Sequence, residues 1–292
     1  MLIGALEAGG TKIVCAIGDE NGNIIDKKII PTESPNKTMP QIINYFRNKG
    51  IEALGVGCFG PIDPDKKSKT YGYITSTPKL AWRNYNIVKA LHDTLNVPIE
   101  FDTDVNTAAL GETISGALLD CEIGIYITIG TGIGVGVCIE GEPLHGLMHP
   151  EAGHIILRRL KNDNYKGICP YHRDCFEGLA SGPAIEERWG KKAYELKNEY
   201  EVWELEADYI AQAIANFILC YSPNRIVLGG GIMHEEQLFP IIRFKVKEYL
   251  NGYINMKQIL DDIDSYIVPP LLGDDAGIKG ALRLGRLASR NN

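Results

Sequence analysis

The chain has 292 residues, of which 45% are hydrophobic and 23% charged, and its formal net charge is -7. This length allows two domains with a core each, and the acidic balance argues against nucleic acid as a partner. No run of roughly 18 apolar residues lacks glycine and polar interruptions, so we expect no membrane-spanning segment. A strand predicted from Leu2 leaves no room for a signal peptide. The seven cysteines, an odd number, are therefore expected to be cytoplasmic thiols or metal ligands.

The first part of the chain alternates predicted strands with predicted helices. Strand, helix, strand, helix order predicts a mostly parallel sheet with crossover helices. The predicted strands cover Leu2–Ala8, Lys12–Gly18, Ile24–Ile30, Ala53–Cys58 and Pro98–Phe101, and the predicted helices cover Gln41–Asn48, Ile87–Leu95 and Thr107–Leu118.

The second part begins with two apolar runs over Ile123–Ile139, which predict a buried hairpin. Order is less regular from Pro143 to Gly182, and we interpret this stretch as an insertion with a site of its own. The remaining predictions are a helix over Glu204–Tyr221, a strand over Arg225–Leu228, a helix over Gln237–Tyr249, a strand over Ser265–Val268 and a terminal helix from the Gly273–Gly277 turn to about Ser289.

A glycine-threonine hairpin occurs twice. Leu2–Gly18 reads LIGALEAGGTKIVCAIG, and Ile123–Ile139 reads IGIYITIGTGIGVGVCI. Bare backbone N–H groups and a threonine hydroxyl form a cradle for an anionic oxygen such as phosphate. A single hairpin of this kind is equally well explained by turn geometry alone. Two copies indicate a duplicated α/β unit with two cradles across a cleft, as in a kinase, although the chain has no Walker motif.

A candidate general base follows the strand that ends at Phe101. Asp104 lies at the predicted start of a helix, where a carboxylate could accept a proton from a bound hydroxyl. The alternative is that Asp102 or Asp104 only caps the helix, a common use of aspartate.

Three possible metal ligands lie within seven residues of the irregular stretch. Cys169, His172 and Cys175 are spaced by three, and His154 could supply a fourth ligand for structural, tetrahedral zinc. The alternative is free cysteines and a surface histidine. The other cysteines (15, 58, 121, 138 and 220) are expected in the core, and histidines 92, 145, 149 and 234 at the surface or in loops, without partners.

Glu151 and Glu177 flank these metal candidates. A metal-pinned loop could present both carboxylates to the hydroxyls of a polyol. The alternative reading is that they are exposed loop carboxylates.

Over nearly its whole length the chain resembles the ROK family of sugar kinases, within the actin-like, ribonuclease-H-like ATPase superfamily. The resemblance implies two duplicated α/β domains facing a central cleft, one over residues 1–107 completed by helix 276–290, the other over 108–275 with a zinc loop at 150–182. The motifs that carry the resemblance are EAGGTK at 7–12, DTDVN at 102–106, IGTGIG at 129–134, EAGH at 151–154, CPYHRDCFE at 169–177, ASGPAI at 180–185 and LGGGIM at 228–233.

The resemblance also implies roles for residues, with ATP, Mg²⁺ and structural Zn²⁺ as cofactors and a hexose as substrate. Asp104 would be the general base. The sugar site would contain Thr103, Asn106, Glu151, His154 and Glu177. The phosphates and Mg²⁺-nucleotide would be held by Gly10, Thr11, Lys12, Gly130, Thr131 and Gly132, the adenosine bordered by Pro183, Gly229, Gly230 and Gly231, and the zinc held by His154, Cys169, His172 and Cys175.

Two departures from the common family pattern refine this expectation. Glu7 replaces the aspartate of many members, and a histidine replaces one cysteine of the zinc loop. With Thr103 before the base, this combination resembles the fructokinase branch. Glucokinase, mannokinase and kinases of N-acetylated amino sugars remain alternatives, as does a non-catalytic sugar-sensing protein. The repressors of the family carry a helix-turn-helix before the first cradle, whereas one residue precedes Leu2 here. A homodimer is implied by the resemblance alone.

Overall fold

The structure, a computed structural model, describes residues 1–290. Two five-stranded mixed sheets and a two-stranded ribbon combine with helices, which confirms the predicted α/β class. Within residues 1–290, no helix combines the length and apolar character needed to cross a membrane.

The first sheet has the strand order β3-β2-β1-β4-β7. The hairpin β1–β2 and the pair β2–β3 are antiparallel, whereas β4 joins β1 and β7 in parallel. All six residues of β4 are buried, as expected for a central strand covered on both faces. These strands are β1 (Leu2–Ala8), β2 (Lys12–Asp19), β3 (Ile24–Pro31), β4 (Ala53–Cys58) and β7 (Ile99–Thr103), and the ribbon is β5 (Tyr73–Ile74) with β6 (Tyr85–Asn86).

The second sheet repeats this plan with the order β10-β9-β8-β11-β12. Its hairpin is again antiparallel and its next two strands are again parallel, so the predicted duplication is present in the topology. The strands are β8 (Ile123–Ile129), β9 (Ile133–Ile139), β10 (Glu142–Pro143), β11 (Arg225–Gly229) and β12 (Ile267–Val268).

Each sheet has its own apolar core. The first buries Phe46 and Trp82 under the sheet, and the second buries Trp203 and Tyr209 of the long helix that packs on it. The helices are α1 (Pro35–Phe46), α2 (Ile87–Leu95), α3 (Asp104–Ser115), α4 (Phe176–Ala180), α5 (Gly182–Trp189), α6 (Tyr200–Tyr221), α7 (Leu238–Leu250), α8 (Lys257–Leu260), α9 (Ile263–Tyr266) and α10 (Ala276–Arg290). Short 3₁₀ turns cover Leu80–Trp82, Ala152–His154, Ala193–Glu195, Gly231–His234 and Gly273–Asp275.

The C-terminal helix α10 packs against the first sheet and against α3. The packing is close enough to require glycine, because a Cβ at Gly280 would lie 1.7 Å from the Thr107 carbonyl oxygen. One at Gly55 of β4 would lie 1.8 Å from the Ala281 carbonyl oxygen. This places α10 beside the N-terminal sheet, as the resemblance implies. The domain boundaries themselves stay a prediction.

Several predicted boundaries are wrong. Helix α1 begins at Pro35 rather than Gln41, because proline fits the first turn of a helix, where its missing N–H is not needed. Helix α3 begins at Asp104, where the start of a helix is expected, although helical composition is predicted only from Thr107. The irregular stretch up to Gly182 contains the short helix α4, and the last strand is only two residues long because α9 occupies the residues before it.

Candidate active site

The two glycine-threonine turns face each other. Gly9 N donates to Lys12 O at 3.0 Å, and Gly130 N donates to Gly132 O at 2.9 Å, so both turns close in a similar way. The Thr11 and Thr131 hydroxyls lie 3.1 Å apart. The predicted cradle residues are therefore together at one place, where the two sheets meet.

A cleft of about 920 Å³ opens beside the turns. Its lining includes the predicted Lys12, Asp104, Gly229, Gly230 and Gly231, together with Glu7, Thr128, Phe239, Arg243 and Asp274. Pro183, also predicted, lies in the first turn of α5. Its neighbour Gly182 donates its N–H to Gly130 O at 2.7 Å, so Pro183 adjoins the second turn.

Glu7 of β1 is an acidic group in the wall of this cleft. Burial raises the pKa of its carboxyl group to about 7, and the nearby charge of Asp104 adds to the effect. Its buried Oε2 has no hydrogen-bond partner among residues 1–290. Gly277 of α10 leaves the room for this carboxylate, since a Cβ there would lie 2.5 Å from Glu7 Cδ. A cation bound in the cleft could take Glu7 as a ligand.

Asp104 is the first residue of α3, and its carboxylate faces the cleft. Its Oδ1 accepts from Val105 N at 2.9 Å. Burial raises the pKa of Asp104 to about 6, against the lowering effect of the backbone hydrogen bonds. The alternative that Asp102 or Asp104 caps the helix is wrong, because Thr103 is the N-cap and its hydroxyl accepts from Asn106 N at 3.0 Å. Asp104 thus presents a buried carboxyl group to the cleft, and its role as a general base stays a prediction.

Thr103 and Asn106, predicted for the sugar site, direct their polar atoms into the protein. Both are buried, and Asn106 Nδ2 donates to Asp102 Oδ1 at 2.8 Å. Asp102 Oδ1 also accepts from Thr103 N at 2.7 Å. The structure thus brings Thr103 and Asn106 next to Asp104 but uses their side chains to shape the loop. A direct sugar contact by either stays a prediction.

Glu151 lies near the turn after β4. A Cβ at Gly60 would lie 3.2 Å from Glu151 Oε1. Burial raises the pKa of Glu151 to about 7, with the charges of Glu177 and Asp104 as smaller causes. His149 Nδ1 lies 3.5 Å from the same Oε1, and its Nε2 accepts from Ile62 N at 3.1 Å.

The expectation that His145 and His149 lack partners is wrong. His149 is buried, and the Ile62 N–H that it accepts requires its neutral form with the proton on Nδ1, facing Glu151. His145 Nε2 lies 3.1 Å from Asp102 Oδ2, and this hydrogen bond raises the pKa of His145. The sequence HGLMHPE places both histidines close to Glu151, which is the one local sign of a partner. Their other partners, Asp102 and Ile62, come from distant parts of the chain and could not be inferred.

The four predicted zinc ligands converge. One donor atom from each of His154, Cys169, His172 and Cys175 lies within 4.8 Å of all the others. His154 Nδ1 is 3.4 Å from Cys175 Sγ and 3.7 Å from Cys169 Sγ, and Cys169 Sγ is 3.7 Å from His172 Nδ1. Two thiols and two imidazoles at these separations fit tetrahedral zinc.

Glu177 connects the zinc-ligand cluster to the second turn. Its Oε2 accepts from Ile133 N at 2.9 Å, and its Oε1 lies 4.0 Å from His154 Nε2. His154 therefore points one ring nitrogen at the two thiols and the other at Glu177. The two roles predicted for His154, metal ligand and sugar-site residue, are compatible in one side chain.

The remaining cysteines largely agree with the expectation of core positions. Cys15, Cys58 and Cys138 are buried, and Cys121 is half-buried. Cys220 is exposed near the end of α6, so the prediction is wrong there. The helix pattern places Cys220 next to apolar residues, but in the structure its side chain is exposed to solvent.

Comparison with known proteins gives the chain its family. The family model described as "ROK family" matches residues 3–287. A Bacillus subtilis protein is 52% identical over 287 residues, covering 98% of this chain and 96% of that one. A Pediococcus pentosaceus protein named fructokinase is 45% identical over 291 residues, covering 100% of both. The crystal structure of a ROK hexokinase from Thermus thermophilus has a TM-score of 0.80 at 26% identity, covering 100% of both chains. The chain belongs to the ROK family.

Proposed function

We propose that the chain is an ATP-dependent kinase that converts D-fructose to fructose 6-phosphate. The observation that carries the proposal is the approach of Thr11 to Thr131, which joins two anion-binding turns above a cleft that contains Asp104. Relatives named fructokinase support the choice of sugar, at 45% identity in Pediococcus pentosaceus, 41% in Streptococcus mutans and 40% in Zymomonas mobilis.

In the proposed reaction, Asp104 accepts the proton of the C6 hydroxyl as that oxygen attacks the γ-phosphorus of ATP. The bond from the γ-phosphorus to the bridging oxygen breaks, and ADP leaves with the electron pair. The backbone N–H groups of Gly10 and Gly132 and the hydroxyls of Thr11 and Thr131 orient the phosphates. Catalysis is then mainly positioning and charge stabilisation, helped by exclusion of water from the cleft.

We assign the binding of the sugar and of the nucleotide to two different sets of residues. We assign the sugar hydroxyls to Glu151, His154 and Glu177, with Thr103 and Asn106 holding the loop that carries Asp104. The nucleotide lies along Gly229–Gly231, with Pro183 beside the second turn. The chain is proposed to act as a homodimer, which rests on the family resemblance, and in the cytoplasm, which rests on its seven cysteines.

Two metal ions belong to the proposal. Mg²⁺ would accompany ATP near Glu7, whose unpartnered buried Oε2 suits a cation, and would neutralise charge on the phosphates. Zn²⁺ would be held by His154, Cys169, His172 and Cys175. Its role would be structural, because four protein donors leave no open position.

The test is Mg²⁺-dependent release of ADP from ATP with fructose, glucose, mannose and N-acetylmannosamine. We expect the highest kcat/KM for fructose. A preference for another hexose would support the proposed kinase reaction but contradict the assignment of fructose as its substrate. Absence of sugar-stimulated ADP release would reject the kinase and favour a sugar-sensing role.

A further inference from the structure

Lys79 is a lysine near the first turn whose role is not explained by the assignments above. It precedes the 3₁₀ turn Leu80–Trp82, and its Nζ lies 5.7 Å from the centre of the Phe59 ring. Phe59 packs edge-on against Trp82, and Trp82 Nε1 donates to Glu33 O at 2.7 Å. The ammonium group of Lys79 therefore lies beside a buried aromatic pair.

The end of the Lys79 side chain lies beside Gly10 of the first phosphate cradle. A Cβ at Gly10 would lie 3.3 Å from Lys79 Cε and 3.7 Å from Lys79 Nζ. Phe59, on which the side chain rests, directly precedes Gly60, and Gly60 approaches Glu151 on the sugar side. Lys79 thus lies beside the first phosphate turn, next to the aromatic residue that precedes Gly60.

The charge of Lys79 is not neutralised within the protein. Across residues 1–290, Lys79 forms no ion pair with a carboxylate within 4.0 Å, unlike Lys27, Lys49 and Lys89. Burial lowers the pKa of its ammonium group below the usual value. A partly desolvated ammonium without an acidic partner, next to bare backbone N–H groups, is suited to bind an anion.

The segment that carries Lys79 is tied to the zinc-ligand cluster. Tyr171, which precedes the predicted ligand His172, donates its hydroxyl to Ser76 O at 2.8 Å. Arg83 Nη2 donates to Thr77 O at 3.2 Å. Hydrogen bonds from both sides therefore hold residues 76–83 in the position that directs Lys79 at Gly10.

We propose that Lys79 contacts the non-bridging oxygens of the transferring phosphoryl group and stabilises their charge in the transition state. This inference rests on the proposed kinase function. Lys79 keeps its proton throughout, while the hydroxyl proton goes to Asp104, and the electron pair of the broken phosphorus–oxygen bond leaves with ADP. Because the contact is strongest when charge is spread over the moving group, it lowers the barrier more than it tightens binding of either substrate.

The test compares Lys79→Met and Lys79→Arg with the wild type, using Lys89→Met as a matched control. Lys89 lies on the surface of α2 and pairs with Asp93 at 2.7 Å. We expect kcat of Lys79→Met to fall by about 10²–10³, the usual effect of removing one charge-stabilising donor. The KM for fructose should change less than about threefold, and Lys79→Arg should recover part of kcat. Lys89→Met should match the wild type.

A second measurement separates stabilisation of the transition state from a structural role. Binding of Mg·ADP with aluminium fluoride and fructose should weaken strongly in Lys79→Met, whereas binding of Mg·ADP alone should not. A Lys79→Met enzyme with near wild-type kcat, or one that loses only affinity for the sugar, would overturn the inference while leaving the kinase in place. If Lys79→Met does not fold, Lys79→Gln is judged by the same measurements. Absence of phosphorylation of every hexose by the wild type would overturn the proposed function itself.

Discussion

The hydroxyl of Thr11 lies 3.1 Å from the hydroxyl of Thr131, although 120 residues separate them in the chain. This contact joins equivalent turns of the two repeated units. In the proposed kinase, each hydroxyl would contact a phosphate oxygen together with the backbone N–H groups of its turn. The pair would then exchange its mutual hydrogen bond for hydrogen bonds to a nucleotide.

Thr131→Val should raise the KM for ATP by about tenfold, the usual effect of losing one hydrogen bond to a charged group. The β-branched shape is kept, so the melting temperature should stay close to that of the wild type. Steady-state kinetics with varied ATP and saturating fructose give the measurement. An unchanged KM for ATP would show that Thr131 does not contact the nucleotide.

Asp104→Asn should leave nucleotide binding intact and lower kcat by about 10²–10⁴, the range for removal of a general base. The substitution keeps the size of the side chain at the start of α3. Titration calorimetry with ADP and Mg²⁺ measures binding, and ADP release measures turnover. A variant with nearly normal turnover would contradict the base assignment.

Activity should fall as the pH drops through the range of about 6 to 7. Burial raises the pKa of Asp104 to about 6, and the base must be deprotonated to accept a proton. Burial raises the pKa values of Glu7 and Glu151 to about 7. The pH profile will therefore reflect the combined titration of these three carboxyl groups rather than that of Asp104 alone. The pH dependence of kcat/KM for fructose is the measurement. A flat profile between pH 5.5 and about 8 would contradict a carboxylate base with this pKa.

Glu7→Gln should stabilise the folded protein at high pH while reducing turnover. The pKa of Glu7 is higher in the folded protein than the usual 4.5, so the ionised form opposes folding, increasingly as pH rises from 4.5 to about 7. At pH 8 we expect the free energy of unfolding to rise by about 1–3 kcal/mol, and at pH 4 no gain. Denaturant unfolding at both pH values tests this. A stabilisation independent of pH would mean that ionisation is not the cause.

Zinc should be present at one ion per chain and should support the loop at 150–182. Cys175→Ser removes one of four converging donors, so zinc content and melting temperature should fall together. Metal analysis of the purified protein and thermal unfolding with and without a chelator are the measurements. A metal-free protein that is unaffected by chelators would reject the zinc site. Cys220→Ser, at an exposed cysteine, is the matched control.

Patterns of apolar residues predicted both hairpins, because buried strands with β-branched residues and glycine turns have a clear local signal. The sequence places Asp104 at the start of a helix but does not identify Thr103 as its cap, since the cap depends on which of several polar residues turns toward the backbone. Cys169, His172 and Cys175, predicted as metal ligands, share a loop with recognisable spacing. The contact of His149 with Ile62, and that of Lys79 with Gly10, join loops far apart in sequence, and no local pattern encodes them.

The packing of α10 has a consequence for folding during synthesis. Ile278, Ala281 and Leu282 of this helix cover a face of the first sheet that includes Ile3 and Ala5. The apolar side chains of Ile3 and Ala5 therefore stay exposed to water until residues 276–290 have been synthesised and pack on them. The first sheet is completed only after residues 276–290 have been synthesised, and closing so long a loop is slow. Until then, the exposed face is a place where the nascent chain would need protection from aggregation.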